Sequence, residues 1–239
     1  MTDRVAPSVR DRLMSIWREA ATQSVPLPSE PQLAAELGVS RSRIREELLR
    51  LEGEGLVMRS AGSGTFANAG ALHLGLRLNQ SFEYAHMLEE AGFEPTTEVL
   101  AAGWAALDAR DADALGLAVG HSAYRTQKRW LADGVPVMLA VDLIPAHPRP
   151  TPVDPATSVY ELVHELRGIS GEWENAKVLA RIPTADERDL LVEHTAEAAI
   201  LDLEMTGTDR FGTAIYLSRE VHRQGVIDYS VIRRVRTTL

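Results

Sequence analysis

Cysteine is absent from all 239 residues, which excludes disulfides, cysteine-ligated zinc, iron–sulfur clusters and thiol catalysis. No run approaches the roughly 18 apolar residues that a membrane span requires. The stretch Met1–Asp11 alternates charged and small residues and has no apolar core of the kind an export signal carries. These absences predict a cytoplasmic chain. Positive charge is scarce as well: 25 Lys and Arg stand against 34 Asp and Glu, for a net charge of −9. Taken whole, that balance argues against a nucleic-acid partner.

The distribution of charge along the chain points the other way. Residues 1–70 hold nine arginines and nine acidic groups, so the entire excess of negative charge lies in the remainder. A DNA-binding segment needs positive charge where phosphates approach, not a positive total. Three of those arginines, Arg41, Arg43 and Arg45, fall within five positions.

Apolar spacing predicts a helix over Val9–Ala21 with Val9, Leu13, Ile16, Trp17 and Ala20 on its inner face. A second helix follows Ser29, which with Gln32 has the form of a capping box, and Pro31 sits in its first turn, where a missing N–H is tolerated. Leu33 and Leu37 face inward and Gly38 is placed to end the helix. Only Val39 intervenes before Ser40, the expected cap of a third helix whose inner row is Ile44, Leu48 and Leu51. Leu56–Arg59 and Thr65–Ala67 flank a Gly-rich turn and predict a hairpin. The order helix, capped helix, glycine turn, arginine-rich helix, glycine-tipped hairpin describes a winged helix-turn-helix. Arg41, Ser42 and Arg45 lie off the buried face near a helix N-terminus, where free N–H groups favour phosphate. Arginine forks in the major groove read guanine.

Residues 69–78 read as a linker. Beyond it, helices are predicted over Ser81–Ala91, Ser158–Arg167 and Thr184–Glu193. Strands are predicted over Glu98–Ala105, His121–Leu131, Val137–Ile144, Glu172–Ile182, Ile200–Gly207, Ala214–His222 and Ile227–Arg236, with Asp133-Gly134 as a hairpin turn. The fold class expected is therefore α+β: a winged helix-turn-helix over 1–68, the linker over 69–78, and a second domain on an antiparallel sheet over 79–239.

Leu27-Pro28-Ser29-Glu30, Leu33 to Arg41, Ile44-Arg45-Glu46, Glu54-Gly55-Leu56-Val57 and Gly62 to Phe66 resemble the GntR family of winged-helix regulators. The resemblance implies that Ser40, Arg41, Ser42, Arg45 and Gly62 contact operator DNA. Arg43 is carried as a further candidate, although the family has a smaller residue there. Pro31 departs from the pattern, since the family usually places a DNA-contacting arginine at that position. Ser81-Phe82-Glu83, Asp133 to Pro136 and Ser158 to Leu162 resemble the HutC-type subfamily, whose effector domain, UTRA, has a chorismate-lyase-like fold. Scattered histidines with no repeated i, i+4 pair separate this chain from the all-helical, metal-binding branch.

The subfamily resemblance implies a homodimer on double-stranded operator DNA, most often a repressor, controlled by a small molecule. Block matching gives Phe82, Glu83, Lys128, Trp130, Ser158, Tyr160 and Tyr229 as effector-site candidates. Phosphosugar-binding members carry an arginine pair where Lys128 and Trp130 stand here. A phosphosugar effector is therefore not expected, whereas a neutral or cationic ligand with a flat group could stack on Trp130. Other roles stay open: Trp130 and Tyr160 as core, Lys128 as a solvated strand residue, Ser158 as a helix cap. No cofactor or metal is expected, and no catalytic residues are assigned, because no Ser-His-Asp ordering, HExxH or P-loop occurs. Two rival readings remain: a constitutive DNA-binding protein with a vestigial pocket, and a lyase-like enzyme with Glu83 and Lys128 as its acid/base pair.

Overall fold

The computed structural model describes residues 8–60, 64–78, 83–149, 152–191 and 198–235. They fall into two compact units, one formed by the N-terminal residues to Asn79 together with the chain from Asp228 onward, the other by Gln80–Ile227.

In the first unit, α1 (Val9–Gln23), α2 (Glu30–Leu37) and α3 (Arg41–Gly53) precede the hairpin β1 (Val57–Ser60) and β2 (Gly64–Ala67). Leu13, Trp17, Leu33, Leu37, Ile44, Leu48, Leu51 and Leu56 form one buried cluster, joining the apolar rows expected from sequence. Local chemistry sets the helix ends. The Ser29 N–H and hydroxyl both donate to the Gln32 Oε1 atom, at 2.9 and 2.7 Å. Gly38 takes φ 66°, ending α2 in the left-handed region that favours glycine. The Arg12 guanidinium of α1 donates to the Leu37 and Glu36 carbonyls, satisfying acceptors that the helix end leaves free. The Trp17 indole N–H donates to the Leu56 carbonyl at 2.7 Å, fixing the base of the hairpin against α1.

The expected linker has structure of its own. Ala69–His73 forms a 3-10 turn and β3 is Leu76–Arg77, and Ala71 and Leu72 pack on the helical core.

The second unit contains α4 (Tyr84–Glu90), β4 (Pro95–Ala106), α5 (Ala109–Leu115), β5 (Ser122–Ala132), β6 (Val135–Pro145), α6 (Val159–Arg167), β7 (Trp173–Arg181), α7 (Ala185–Leu191), β8 (Ile200–Thr208) and β9 (Ala214–Arg223). Six strands make one antiparallel sheet in the order β4-β5-β6-β9-β8-β7. Asp133 and Gly134, at φ 49° and 79°, close the β5–β6 hairpin in the twist that two-residue turns prefer.

Alternation along the strands gives the sheet two covered faces. On one, Tyr124, Ile144 and Tyr216 meet Leu162 and Val163 of α6, and Trp130 and His222 meet Tyr84 of α4. On the other, Leu143 and Leu217 meet Ala112 and Leu115 of α5, while Leu139 and Val221 meet Leu191 of α7. Helix α5 was not expected from sequence. Its seven residues give too short an apolar pattern, and its start depends on the Asp108 carboxylate accepting the Asp111 N–H at 2.8 Å.

The end of the chain departs from the expected long strand over Ile227–Arg236. Among the described residues of this segment only Tyr229–Ser230 form a strand, β10, and it pairs in parallel with β3 of the first unit. Ile232 packs on the helical core. Two glycines admit this tail: a Cβ at Gly75 would lie 2.1 Å from the Asp228 carbonyl oxygen, and one at Gly55 (φ 75°) would lie 2.5 Å from Ile232 Cγ2. Gly55→Ala is expected to lower the stability of the first unit by about 1–3 kcal/mol through backbone strain and overpacking. In an Ile232→Ala background, urea unfolding should recover the steric part of that loss but not the backbone part. A cost unchanged by Ile232→Ala would show that the two residues do not meet.

Among the described residues no helix is long and apolar enough to cross a membrane. No group of three His, Asp or Glu among them could hold a metal ion.

Candidate functional sites

Helix α3 begins at Ser40, whose backbone is extended (φ −68°, ψ 151°) and whose hydroxyl accepts the Arg43 N–H at 3.2 Å. Ile44, Leu48 and Leu51 are buried, which turns Arg41, Ser42 and Arg45 to solvent. The four-residue spacing of Arg41 and Arg45 puts both guanidinium groups over one face. Arg43 behaves differently. Its Nη2 atom lies 2.8 Å from Glu47 Oε1 and its Nη1 atom 3.6 Å from Glu46. Glu47 is buried, with Arg50 3.4 Å from the same Oε1 atom. Arg43 thus serves as the counter-ion of a buried carboxylate, a tie that composition alone does not reveal. Leu49, 52% exposed, continues the outward Ser42–Arg45 row one turn further and was not singled out from sequence. Gly62 lies outside the described residues; Ser60 and Gly64, paired across the hairpin, flank it.

Of the effector-site candidates in the second unit, Lys128 and Trp130 lie on the same face of β5. Ser158 caps α6, its hydroxyl accepting the Glu161 N–H at 3.1 Å. Tyr160 stacks edge-on against Tyr216, ring centres 6.0 Å apart. Glu83 is exposed at the start of α4, and the following residue, Tyr84, is the one that reaches inward. Phe82 lies outside the described residues. Tyr229 belongs to β10 in the first unit, so it is not among the second unit's residues.

Between α4 and α6, the sheet face carries a belt of polar side chains, none more than 3% exposed: Thr126, Lys128, Asp142, Ser218, Glu220 and His222. Strand register explains the grouping. Lys128 stands opposite Ala140, Ala140 opposite Glu220, and Thr126–Asp142–Ser218 form the next row across the sheet. Lys128 Nζ donates to the Thr157 carbonyl at 2.8 Å and lies 3.2 Å from Asp142 Oδ2. Thr126 and Ser218 donate to the two Asp142 oxygens at 2.9 and 2.7 Å. Glu220 accepts from the Tyr84 hydroxyl and lies 3.1 Å from His222 Nε2. Trp130 is 7% exposed, packed edge-on against Tyr84 at 5.3 Å and 5.6 Å from the Lys128 ammonium. The belt thus holds two carboxylates to one lysine: Asp142 beside Lys128, and Glu220 beside His222. Sequence reasoning found only Lys128 and Trp130 of this group. The hairpin joining β5 to β6 was legible at Asp133-Gly134, but the pairing of β6 with β9 was not.

On the opposite face, α5 and α7 flank a cleft of about 610 Å³ floored by Leu139, Val141 and Val221. Its walls are ion-paired. Arg219 bridges Asp111 and Glu204 at 2.6 and 3.0 Å, and Arg181 bridges Glu187 and Asp202 at 2.7 and 2.6 Å. Hydrogen bonds from Arg181 and Arg219 hold the Glu187 and Glu204 carboxyls below the usual carboxylate range.

Residues 3–67 match the family model of bacterial regulatory proteins of the gntR family, and residues 90–225, more than half of the chain, match that of the UTRA domain. The chain belongs to the UTRA-bearing branch of the GntR family. A regulatory protein of the L-lactate dehydrogenase operon of Escherichia coli is 41% identical over 64 residues, 26% of this chain and 25% of that protein. The chain thus matches about a quarter of that relative's length. The transcriptional repressor NagR of Bacillus subtilis is 25% identical over 203 residues, 83% of this chain and 82% of NagR. The crystal structure of PhnF from Mycobacterium smegmatis aligns with a TM-score of 0.59 at 23% identity, covering 96% of this chain and all of that one. YydK from Bacillus subtilis aligns with a TM-score of 0.72 at 15% identity, covering 95% and 97%. Both structural likenesses speak to fold. GntR/UTRA membership accounts for the pairing of a helix-turn-helix unit with a six-stranded antiparallel unit.

Proposed function

We propose that this GntR/UTRA chain is a DNA-binding transcription repressor. It acts as a homodimer on a short inverted repeat and responds to a small molecule held on the α4–α6 face of the second unit. The observation that carries the DNA reading is the outward Arg41–Arg45 pair on a capped helix, neither arginine engaged by a carboxylate among the described residues. Ser40, Ser42 and Gly62 would contact the backbone or base edges beside it, and Arg43 supports the helix from within. A two-fold protein dimer suits a two-fold site.

The belt narrows the effector. An anion needs unoccupied cations, yet Lys128 already has Asp142 as its counter-ion, and Glu220, two strands across in the same row, adds a second carboxylate to the belt. A cationic or uncharged effector with a flat group, lying against Trp130 and Tyr84, suits that excess of negative charge. Phe82, Glu83, Ser158 and Tyr160 would border it. Regulation rather than turnover is favoured because the belt's titratable groups are engaged with one another.

Selection from a random duplex pool is expected to return an inverted repeat. A hexose 6-phosphate should leave the affinity for it unchanged, while aromatic amines are the first class to screen for a shift. Recovery of no common sequence would overturn the DNA reading. Tight calorimetric binding of the sugar phosphate would overturn the effector reading.

A further inference from the structure

The two edges of the six-stranded sheet are built differently. Edge strand β4 begins at Pro95, is broken by a register shift between Val99 and Ala101, and is tied down by Glu98 to Arg129. Proline, bulges and charge are the devices that stop an edge from pairing with another chain. Edge strand β7 has none of the first two: it runs nine residues in unbroken register with β8, and all but Glu174 and Arg181 are exposed. Its sequence, Trp173-Glu-Asn-Ala-Lys-Val-Leu-Ala-Arg181, leaves Trp173 72%, Val178 43% and Leu179 46% exposed. An unbroken edge of this length with three exposed large apolar side chains, guarded at its centre only by Lys177 and with no strand beyond it among the described residues, is open to a partner strand.

We infer that β7 pairs antiparallel with β7 of a second copy, so that the two sheets continue into one across a molecular two-fold. This inference rests on the homodimer proposed above and names its surface. Self-pairing about an axis normal to the sheet must centre on a residue, so that like faces meet. Centring on Lys177 would oppose two lysines. Centring on Ala176 opposes Trp173 to Leu179 of the partner subunit and Asn175 to Lys177 of the partner subunit. Glu174 then meets Val178 of the partner subunit, with no like charges face to face. Each Trp173 carries on the order of 200 Å² of surface, so burying two of them makes a substantial part of the roughly 1,200 Å² at which stable interfaces begin.

The absence of native cysteine gives a direct test in the full-length chain. Ala176→Cys is expected to form a symmetric disulfide on mild oxidation, since facing strand residues bring Cα atoms within disulfide reach, whereas Ala102→Cys on the β4 edge is expected not to. Val178→Glu, which opposes Glu174 across the two-fold, should weaken the dimer about tenfold in sedimentation experiments, and Val178→Lys should not. A dimer that fails to cross-link at 176 and is indifferent to the sign of charge at 178 overturns this interface while leaving dimerisation intact. A monomer at operator-binding concentrations overturns both.

Discussion

Asp142→Asn is expected to destabilise the second unit by about 3–5 kcal/mol, because it removes the one carboxylate within 4 Å of the buried Lys128 ammonium among the described residues. Asparagine's Oδ1 can accept from Thr126, while its Nδ2 can donate to the Ser218 hydroxyl, which turns its own proton to Glu220 Oε1 3.3 Å away, so the loss reports mainly the uncompensated charge and not two orphaned hydroxyls. In calorimetry the transition of this unit should fall by about 6–20 °C. Lys128→Met combined with Asp142→Asn should recover most of the loss, since a well-packed apolar replacement of a buried ion pair is often neutral or better. Such non-additivity is the signature of a pair, whereas independent contributions would add. An Asp142→Asn variant within about 1 kcal/mol of the wild type would show that Lys128 is not held by Asp142. Lys128 would then be free to take an anionic effector.

Arg41→Ala and Arg45→Ala should each weaken binding to the selected operator by about 10–100-fold, the worth of one bidentate arginine–guanine contact. Neither change should move the unfolding midpoint, because both side chains are exposed and unpaired among the described residues. Arg43→Ala should do the reverse. It deprives the buried Glu47 of its shorter ion pair and so lowers stability, while the preference for operator over unrelated duplex changes little. Measurements at one fixed salt concentration separate these effects from general phosphate attraction. Wild-type operator affinity in both Arg41→Ala and Arg45→Ala would remove α3 from the major groove.

The contrast between Arg43 and its neighbours shows where sequence reading reaches its limit. Periodicity placed Ile44, Leu48 and Leu51 inside and so turned Arg41, Ser42 and Arg45 outward, and the caps at Ser29, Gly38 and Ser40 were legible from residue type alone. It could not show that Glu47, a charged residue in a helix of charges, is buried and takes Arg43 as its counter-ion. The same holds in the sheet. Strand spans were readable from alternation, but the polar belt exists only because β6 lies between β5 and β9, a matter of strand order that alternation does not encode. Helix α5 and the short β3–β10 pair were invisible because neither has enough residues to establish a period.

The return of the tail to the first unit has a consequence for how such a protein can be taken apart or recombined. The DNA-binding unit is not a cassette encoded by the front of its gene, because Ile232, some 150 residues after the second unit begins, completes its packing against Gly55. A fragment ending before Asp228 would leave that unit short of its last apolar side chain. Exchanging helix-turn-helix segments between relatives would have to carry the matching residues from Asp228 onward.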